Sequence, residues 1–284
     1  MDQRIIDLFD RYTHGGLTRR AFLDRLAAIA GGGAAAAALL QLLENNYARA
    51  ETIAESDPRL SAEMTEIPGS APGLKSYLAK PTEGRKFPAV IVVHENRGLN
   101  PHIKDVARRL AVDGFAAFAI DYLSPLGGTP ADEAKARDMF QSLKIDDVVA
   151  WSRGAVATIV ARTDTTDDIG AVGFCWGGGV VNEIACVEPD LDAGVAYYGR
   201  QPATEKVKTI VAPLLFHYAG LDARINAGIP AFEEALKGAK KTYALHIYPN
   251  VNHAFNNDTG SRYDKAAADL AWSRTVAFLK KYLH

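Results

Sequence analysis

Three observations predict an α/β fold with a mainly parallel sheet. From about residue 60 onward, short β-rich runs alternate with helical patterns. The run at 88–94 is almost continuously apolar, the mark of a strand buried on both faces. A second strand-like run, at 169–174, leads into a glycine cluster directly ahead of a helical pattern. Such alternation covers both faces of a parallel sheet with helices.

In chain order, strands are expected at 75–80, 88–94, 115–121, 169–174, 191–198, 213–218 and 243–248. Helices are expected at 101–113, 131–143, 147–161, 180–187, 229–238 and 263–282. The first helix carries its own start signal, with Asn100 as N-cap and Pro101 at the first helical position. No internal repeat and no long polar linker follows residue 60, so 60–284 reads as one domain.

Composition narrows the function classes. The chain has 284 residues, 48% hydrophobic and 23% charged, enough for a sizeable core and unlike a disordered or fibrous chain. Thirty-two Lys+Arg against 34 Asp+Glu leave a net charge of −2, so no basic field draws in nucleic acid. Cys175 and Cys186 fit neither a CxxC redox pair nor a zinc ribbon. There is likewise no HExxH and no phosphate-binding GxxxxGK[ST].

Residues 1–50 differ from the rest. Thr18-Arg19-Arg20-Ala21-Phe22-Leu23 precedes an Ala/Gly/Leu-rich run, and Ala48-Arg49-Ala50 has the small-x-small pattern of a signal-peptidase site. This resembles a twin-arginine export signal, which implies a periplasmic protein cleaved after Ala50. The other reading is a retained helical arm on a cytoplasmic protein. Asp2, Asp7 and Asp10 favour the arm, being unusually acidic for a leader. Gly31–Gly33, Gln41 and Glu44 make the run a poor membrane span, and no stable span is expected.

The sharpest chemical signal is Gly173-Phe174-Cys175-Trp176-Gly177-Gly178-Gly179. Between strand and helix, this is the context of a nucleophile elbow with cysteine as the nucleophile. Glycines permit the tight turn, and the helix N-terminus favours a thiolate. The competing reading is a glycine-rich turn holding a buried, inert cysteine. Asp222 and His253 each fall in a loop beyond the end of an expected strand. Alone, such an Asp is usually a turn or cap residue and such a His is solvated. Ligands of open α/β sheets bind at the carboxyl ends of strands, where all three residues would meet. The order nucleophile, acid, histidine is that of the α/β-hydrolase fold. His94-Glu95-Asn96-Arg97-Gly98 follows the early strand, where this fold takes an oxyanion-hole N–H. Asn96 N–H and Trp176 N–H are the candidate donors, and His94 is read as structural.

These motifs, with AGLD ending in Asp222, NHAF containing His253 and the final YDKAAADLAWSRTVAFL, resemble the dienelactone hydrolase family over roughly residues 60–284. The resemblance implies an α/β-hydrolase fold, a Cys175–Asp222–His253 triad and hydrolysis of a small enol-lactone or ester through a thioester. It also implies that Glu95 accepts the thiol proton when substrate arrives. A carboxylate there would raise the thiol pKa and keep the resting cysteine neutral. No metal or organic cofactor is called for. Where the family places an arginine for the substrate carboxylate, shortly after the histidine, this chain has Asn257. Arg137 matches the family's other arginine, and Arg97, Arg200 and Arg224, in loops near the expected site, are the candidates to substitute, each otherwise a surface or salt-bridge residue. The alternatives are a general carboxylesterase or thioesterase on the same scaffold, a thiol redox protein using Cys175 and Cys186, and a binding module.

Overall fold

The computed structural model describes residues 1–84 and 86–284. Eight strands form one sheet: β1 (Leu60–Glu66), β2 (Lys75–Pro81), β3 (Phe87–Val93), β4 (Ala116–Asp121), β5 (Thr165–Phe174), β6 (Ala193–Tyr197), β7 (Leu214–Ala219) and β8 (Tyr243–Tyr248). Their order is β1-β2-β4-β3-β5-β6-β7-β8. Strands β3 to β8 pair in parallel, while β1 and β2 are antiparallel at one edge.

Helices α4 (Pro101–Val112), α5 (Glu133–Phe140), α6 (Ile145–Val160), α7 (Trp176–Val187), α8 (Ala223–Asn226), α9 (Ile229–Gly238) and α10 (Lys265–Tyr282) belong to this α/β domain. Ahead of them run α1 (Gln3–Thr13), α2 (Arg19–Ala30) and α3 (Gly33–Leu43). One core packs α6, α7 and α9 on one sheet face through Val156, Ile184 and Phe232. The other packs α4 and α10 on the opposite face through Val106 and Leu279. The α/β-hydrolase fold is therefore present, with helices on both faces of a mostly parallel sheet.

Asn100 caps α4 as expected, its Oδ1 accepting from Ile103 N at 3.1 Å with Pro101 first in the helix. Strand β1 was not anticipated: LSAEMTE is largely polar and lies at the sheet edge, without the apolar run that marks an inner strand. Helix α7 begins at Trp176, four residues before the expected start at 180. Glycine is a poor helix former, but Gly177–Gly179 are retained there by close packing described below.

The first three helices form a small cluster of their own, with Phe22 and Leu26 fully buried and Ile5, Leu8 and Phe9 nearly so. Tyr12 and Phe22 stack at 4.5 Å. Gly31 ends α2 in a left-handed conformation (φ 81°), and the chain bends by 111° before the next helix. Among the described residues, no single helix is long and apolar enough to cross a membrane.

Candidate active site

The sheet changes direction around β3: the chain moves outward to β4 and then returns to the other side of β3 as β5. The crevice beyond the carboxyl ends at such a reversal is where open α/β sheets bind ligands. In the parallel register Val93 lies beside Gly173, which brings the His94–Gly98 loop against the Cys175 turn. Cys175 adopts φ 56° and ψ −116°, a conformation disfavoured for a residue with a side chain. The surrounding glycines permit it. A Cβ on Gly177 would lie 2.3 Å from Val93 O, and one on Gly173 would lie 2.1 Å from Gly177 O. Trp176 opens α7, so its N–H is one of the end donors that the helix leaves without an acceptor.

Asp222 serves two structures at once. Its Oδ1 caps the short helix α8 by accepting from Ile225 N at 3.2 Å, and its Oδ2 lies 2.5 Å from His253 Nδ1. Asp222 is therefore both the cap of α8 and the acceptor facing His253 Nδ1. His253 is buried, and its Nε2 has no hydrogen-bond partner among the described residues.

A second histidine, which the sequence reading did not single out, reaches the sulfur from the N-terminal helices. His14 Nε2 lies 3.3 Å from Cys175 Sγ, and its Nδ1 lies 2.8 Å from Asp10 O and 3.3 Å from Asp10 Oδ1. The two imidazoles meet edge-on, with centroids 4.8 Å apart and planes at 84°. Burial pushes the Cys175 thiol up, but His253 and His14 reverse this and bring it to about 6. Burial opposes the charge on His253, while Cys175 and Asp222 raise it to about 10. The two shifts are counterparts, each group favouring the charged form of the other. His14 is raised in the same way, by Cys175 and Asp10 against burial.

Glu95, expected to accept the thiol proton, is engaged by a neighbouring amide. Glu95 Oε2 accepts from Asn257 Nδ2 at 2.8 Å, and among the described residues the hydrogen bond on Cys175 comes from His14. Asn257 Oδ1 accepts from Thr259 N and Oγ1, which fixes the amide to donate toward Glu95. The facing imidazoles of His253 and His14 lower the thiol against the effect of its burial. His94 is wholly buried between Glu95 O and Tyr122 N, stacked on Trp176, and burial lowers its pKa.

Cys175, His14 and His253 border a cleft of about 870 Å³, whose lining also includes Tyr12, Asn96 and Trp176. Arg137, Arg200 and Arg224 line it too. Arg137 is held over the Tyr12 ring and donates to Tyr12 Oη at 2.8 Å, and Arg224 lies 3.5 Å from Asp10. Arg97 is buried against Glu133 at 2.7 Å, away from the lining. Ring nitrogens of His14 and His253 and Sγ of Cys175 lie within 4.8 Å of one another. That is a nitrogen–sulfur donor set of the kind zinc takes, although a tetrahedral zinc would draw the atoms to about 3.5 Å. Cys186 is a free, buried thiol pushed up to about 12. It lies at the other end of α7 from Cys175, about 16 Å along a helix of that rise, too far for a disulfide.

The sheet, the strained cysteine turn and the cleft over it define a hydrolase with the α/β-hydrolase fold. Residues 74–283 match the dienelactone hydrolase family, and the chain belongs to that family. Residues 1–32 match a second family, described as YqhI-like. An inferred carboxymethylenebutenolidase of Saccharolobus solfataricus is 32% identical over 244 residues, covering 73% of this chain and 94% of its own. Its counterpart in Escherichia coli O157:H7 is 32% identical over 250 residues, covering 82% and 92%. The crystal structure of an inferred dienelactone hydrolase from Klebsiella pneumoniae superposes with a TM-score of 0.73 at 28% identity, over 78% of this chain and 99% of that one.

Proposed function

We propose that the protein hydrolyses a small enol-lactone or ester by covalent catalysis on Cys175, with Asp222 and His253 completing a triad. The convergence of Cys175, His253 and Asp222 at the carboxyl ends of β5, β8 and β7 carries this reading. The thiolate attacks the carbonyl carbon, and the Asn96 and Trp176 N–H groups receive the developing negative charge. The carbon–oxygen bond to the leaving group then breaks, leaving a thioester on Cys175. Imidazolium His253 gives its proton to the departing enolate or alkoxide oxygen. The now neutral His253 takes a proton from water, whose oxygen attacks the thioester and releases the acid and the thiolate. We assign the thiol proton to the imidazoles rather than to Glu95, because His253 and His14 offset the burial of the thiol. Its bond to Asn257 gives it a positioning role in the His94–Gly98 loop.

A broader carboxylesterase or thioesterase activity is the second reading. Asn257 is engaged by Glu95, and Arg137 and Arg224 are engaged by Tyr12 and Asp10, which leaves Arg200 to meet a substrate carboxylate. Paired kinetics of wild type and Cys175→Ala on a carboxylated enol-lactone and a neutral aryl ester test both readings. We expect the variant to lose about 10³-fold or more in kcat/KM on any ester that the wild type turns over. Preference for the lactone supports the dienelactone-type role, and equal turnover of the neutral ester supports the broader one. Equal rates in both proteins would overturn the cysteine mechanism.

We also propose that residues 1–50 stay attached to a cytoplasmic protein, because cleavage after Ala50 would take His14 and one wall of the cleft with it. The intact mass of the protein from its native cell tests this. A mass lacking the first fifty residues would restore the exported alternative.

A further inference from the structure

We infer that His14 is a second active-site histidine, supplied by the N-terminal helices, that holds Cys175 as its thiolate and leaves His253 free to manage the proton of the leaving group. This rests on Cys175 being the nucleophile proposed above. The geometry carries it. His14 Nε2 is 3.3 Å from Sγ, the hydrogen bond that the thiol makes among the described residues. The other ring nitrogen is turned toward Asp10, four residues earlier on α1. Neutral, the ring accepts the S–H proton at Nε2; protonated, it donates to the thiolate. Either way Nδ1–H points at Asp10.

Asp10 is fixed in turn from the α/β domain, since Arg262 Nη1 donates to its Oδ1 at 2.9 Å and Arg224 approaches its Oδ2. The helix end carrying His14 is fixed as well: Asn96 Nδ2 donates to Thr13 O at 2.8 Å. Asn96 is the residue whose backbone N–H is assigned to the oxyanion hole, so one loop couples the arm to the reacting carbonyl. The result is a line of five groups, Asp222–His253, Cys175, His14–Asp10, symmetric in chemistry about the sulfur.

The symmetry has a use. In a triad with one histidine, the imidazolium that stabilises the thiolate is the same group that must give up its proton to the leaving oxygen. One ring must then both serve the sulfur and carry the two protons in turn. With His14 in place, a hydrogen-bonded partner stays on the sulfur throughout, which makes Cys175 a better leaving group when water attacks the thioester.

The test reads the thiol without any substrate. The rate of Cys175 alkylation by iodoacetamide, followed against pH by the mass of the adduct, gives the thiol titration directly. Cys186, buried and pushed up to about 12, stays silent. The groups around the sulfur are His14 backed by Asp10, His253 backed by Asp222, and Tyr198, Glu95 and Arg97 from the neighbouring loops. Wild type is expected to titrate near about 6. His14→Ala is expected to shift the midpoint upward by about one unit or more, and His14→Gln, which keeps a donor but no charge, by less. On an aryl ester, kcat/KM of His14→Ala is expected to fall about tenfold below the shifted midpoint and to approach wild type above it.

An unmoved midpoint in both variants, with kcat/KM reduced by one constant factor at every pH, would make His14 a packing residue and overturn the inference. His14→Gln fills the same space, so an upward shift in this variant with an unchanged melting temperature separates the titration from a displaced arm. If wild type hydrolysed no ester while the midpoint still moved with His14, the function proposed above would fail and the assignment of His14 to the thiol would stand.

Discussion

The two Asp–His pairs beside Cys175 reach the same sulfur by different routes. Asp222 and His253 are 31 residues apart and meet because β7 and β8 are parallel neighbours whose following loops leave the same end of the sheet. Asp10 and His14 are four residues apart on one helix and would meet in any folded copy of it. What places the second pair is docking, through polar contacts such as Arg262 to Asp10 and Asn46 N to Thr259 O at 2.8 Å. The first pair therefore depends on backbone packing at the sheet, and the second on a surface that holds the arm down.

Glycine substitutions should separate the two regions most sharply. A Cβ on Gly177 meets Val93 O at 2.3 Å and His94 O at 2.6 Å, both backbone atoms that cannot step aside. Gly177→Ala is expected to cost about 3 kcal/mol or more, or to yield no soluble protein. Gly33, in the arm, has nothing within 4 Å of its added Cβ. Gly33→Ala is expected to stabilise by up to about 1 kcal/mol in a urea melt. Similar midpoints for the two variants would break the comparison.

The carboxylates come next. Asp222→Asn replaces the acceptor of His253 Nδ1–H and is expected to lower kcat about 10³-fold while binding changes little. Asp10→Asn leaves Asp10 O beside His14, so kcat at neutral pH is expected to fall by less than about tenfold. Its larger cost falls on stability, through the loss of the pairing with Arg262 and Arg224. A larger kcat loss for Asp10→Asn than for Asp222→Asn would invert the roles assigned here.

The smallest effect is in acid. Burial favours the neutral form of Asp10, but His14, His253 and Arg262 hold its carboxyl well below the usual range. A depressed native pKa stabilises fully above the unfolded value near 3.8 and is lost as the pH falls below it. Proteolysis of the arm is therefore expected to accelerate below about pH 4 in wild type, and this pH dependence should be weakened in Asp10→Asn. An identical acid response in the two proteins would move the anchoring elsewhere.

The readable parts of the sequence were those with local causes. Strand β3 announced itself because both of its faces are buried, and the cysteine turn did so because its glycines have one physical use. Strand β1 did not, since an edge strand needs no apolar alternation strong enough to detect. The start of α7 was hidden because helix propensity counts against glycine, while the contacts of Gly177 and Gly178 with β3 and the end of β6 require it. Asp222 and His253 were legible as a set because sheet topology sends the loops of parallel strands to one place. His14 was not, although a signal existed. Asp10 and the C-cap His14 lie one turn apart at the end of an amphipathic helix, with buried Ile6 one turn before Asp10 and Phe9 beside it. Nothing local to that helix says what its polar edge will face, and the twin arginines at 19 and 20 kept an export reading open beside the retained arm.

The arm is synthesised before the domain on which it docks, yet finds its place after it. Gln3 bonds to Asn252 across 249 residues, and Asp10 to Arg262 across 252. While the chain is still emerging from the ribosome those partners do not exist, and helices α1–α3 have only their own small cluster to hold them together. Contacts of such long sequence separation close late. The wall that Tyr12, His14 and Leu17 give the cleft is accordingly raised only once the final loops are made, so a chain stopped short of residue 262 carries its nucleophile in an unfinished site.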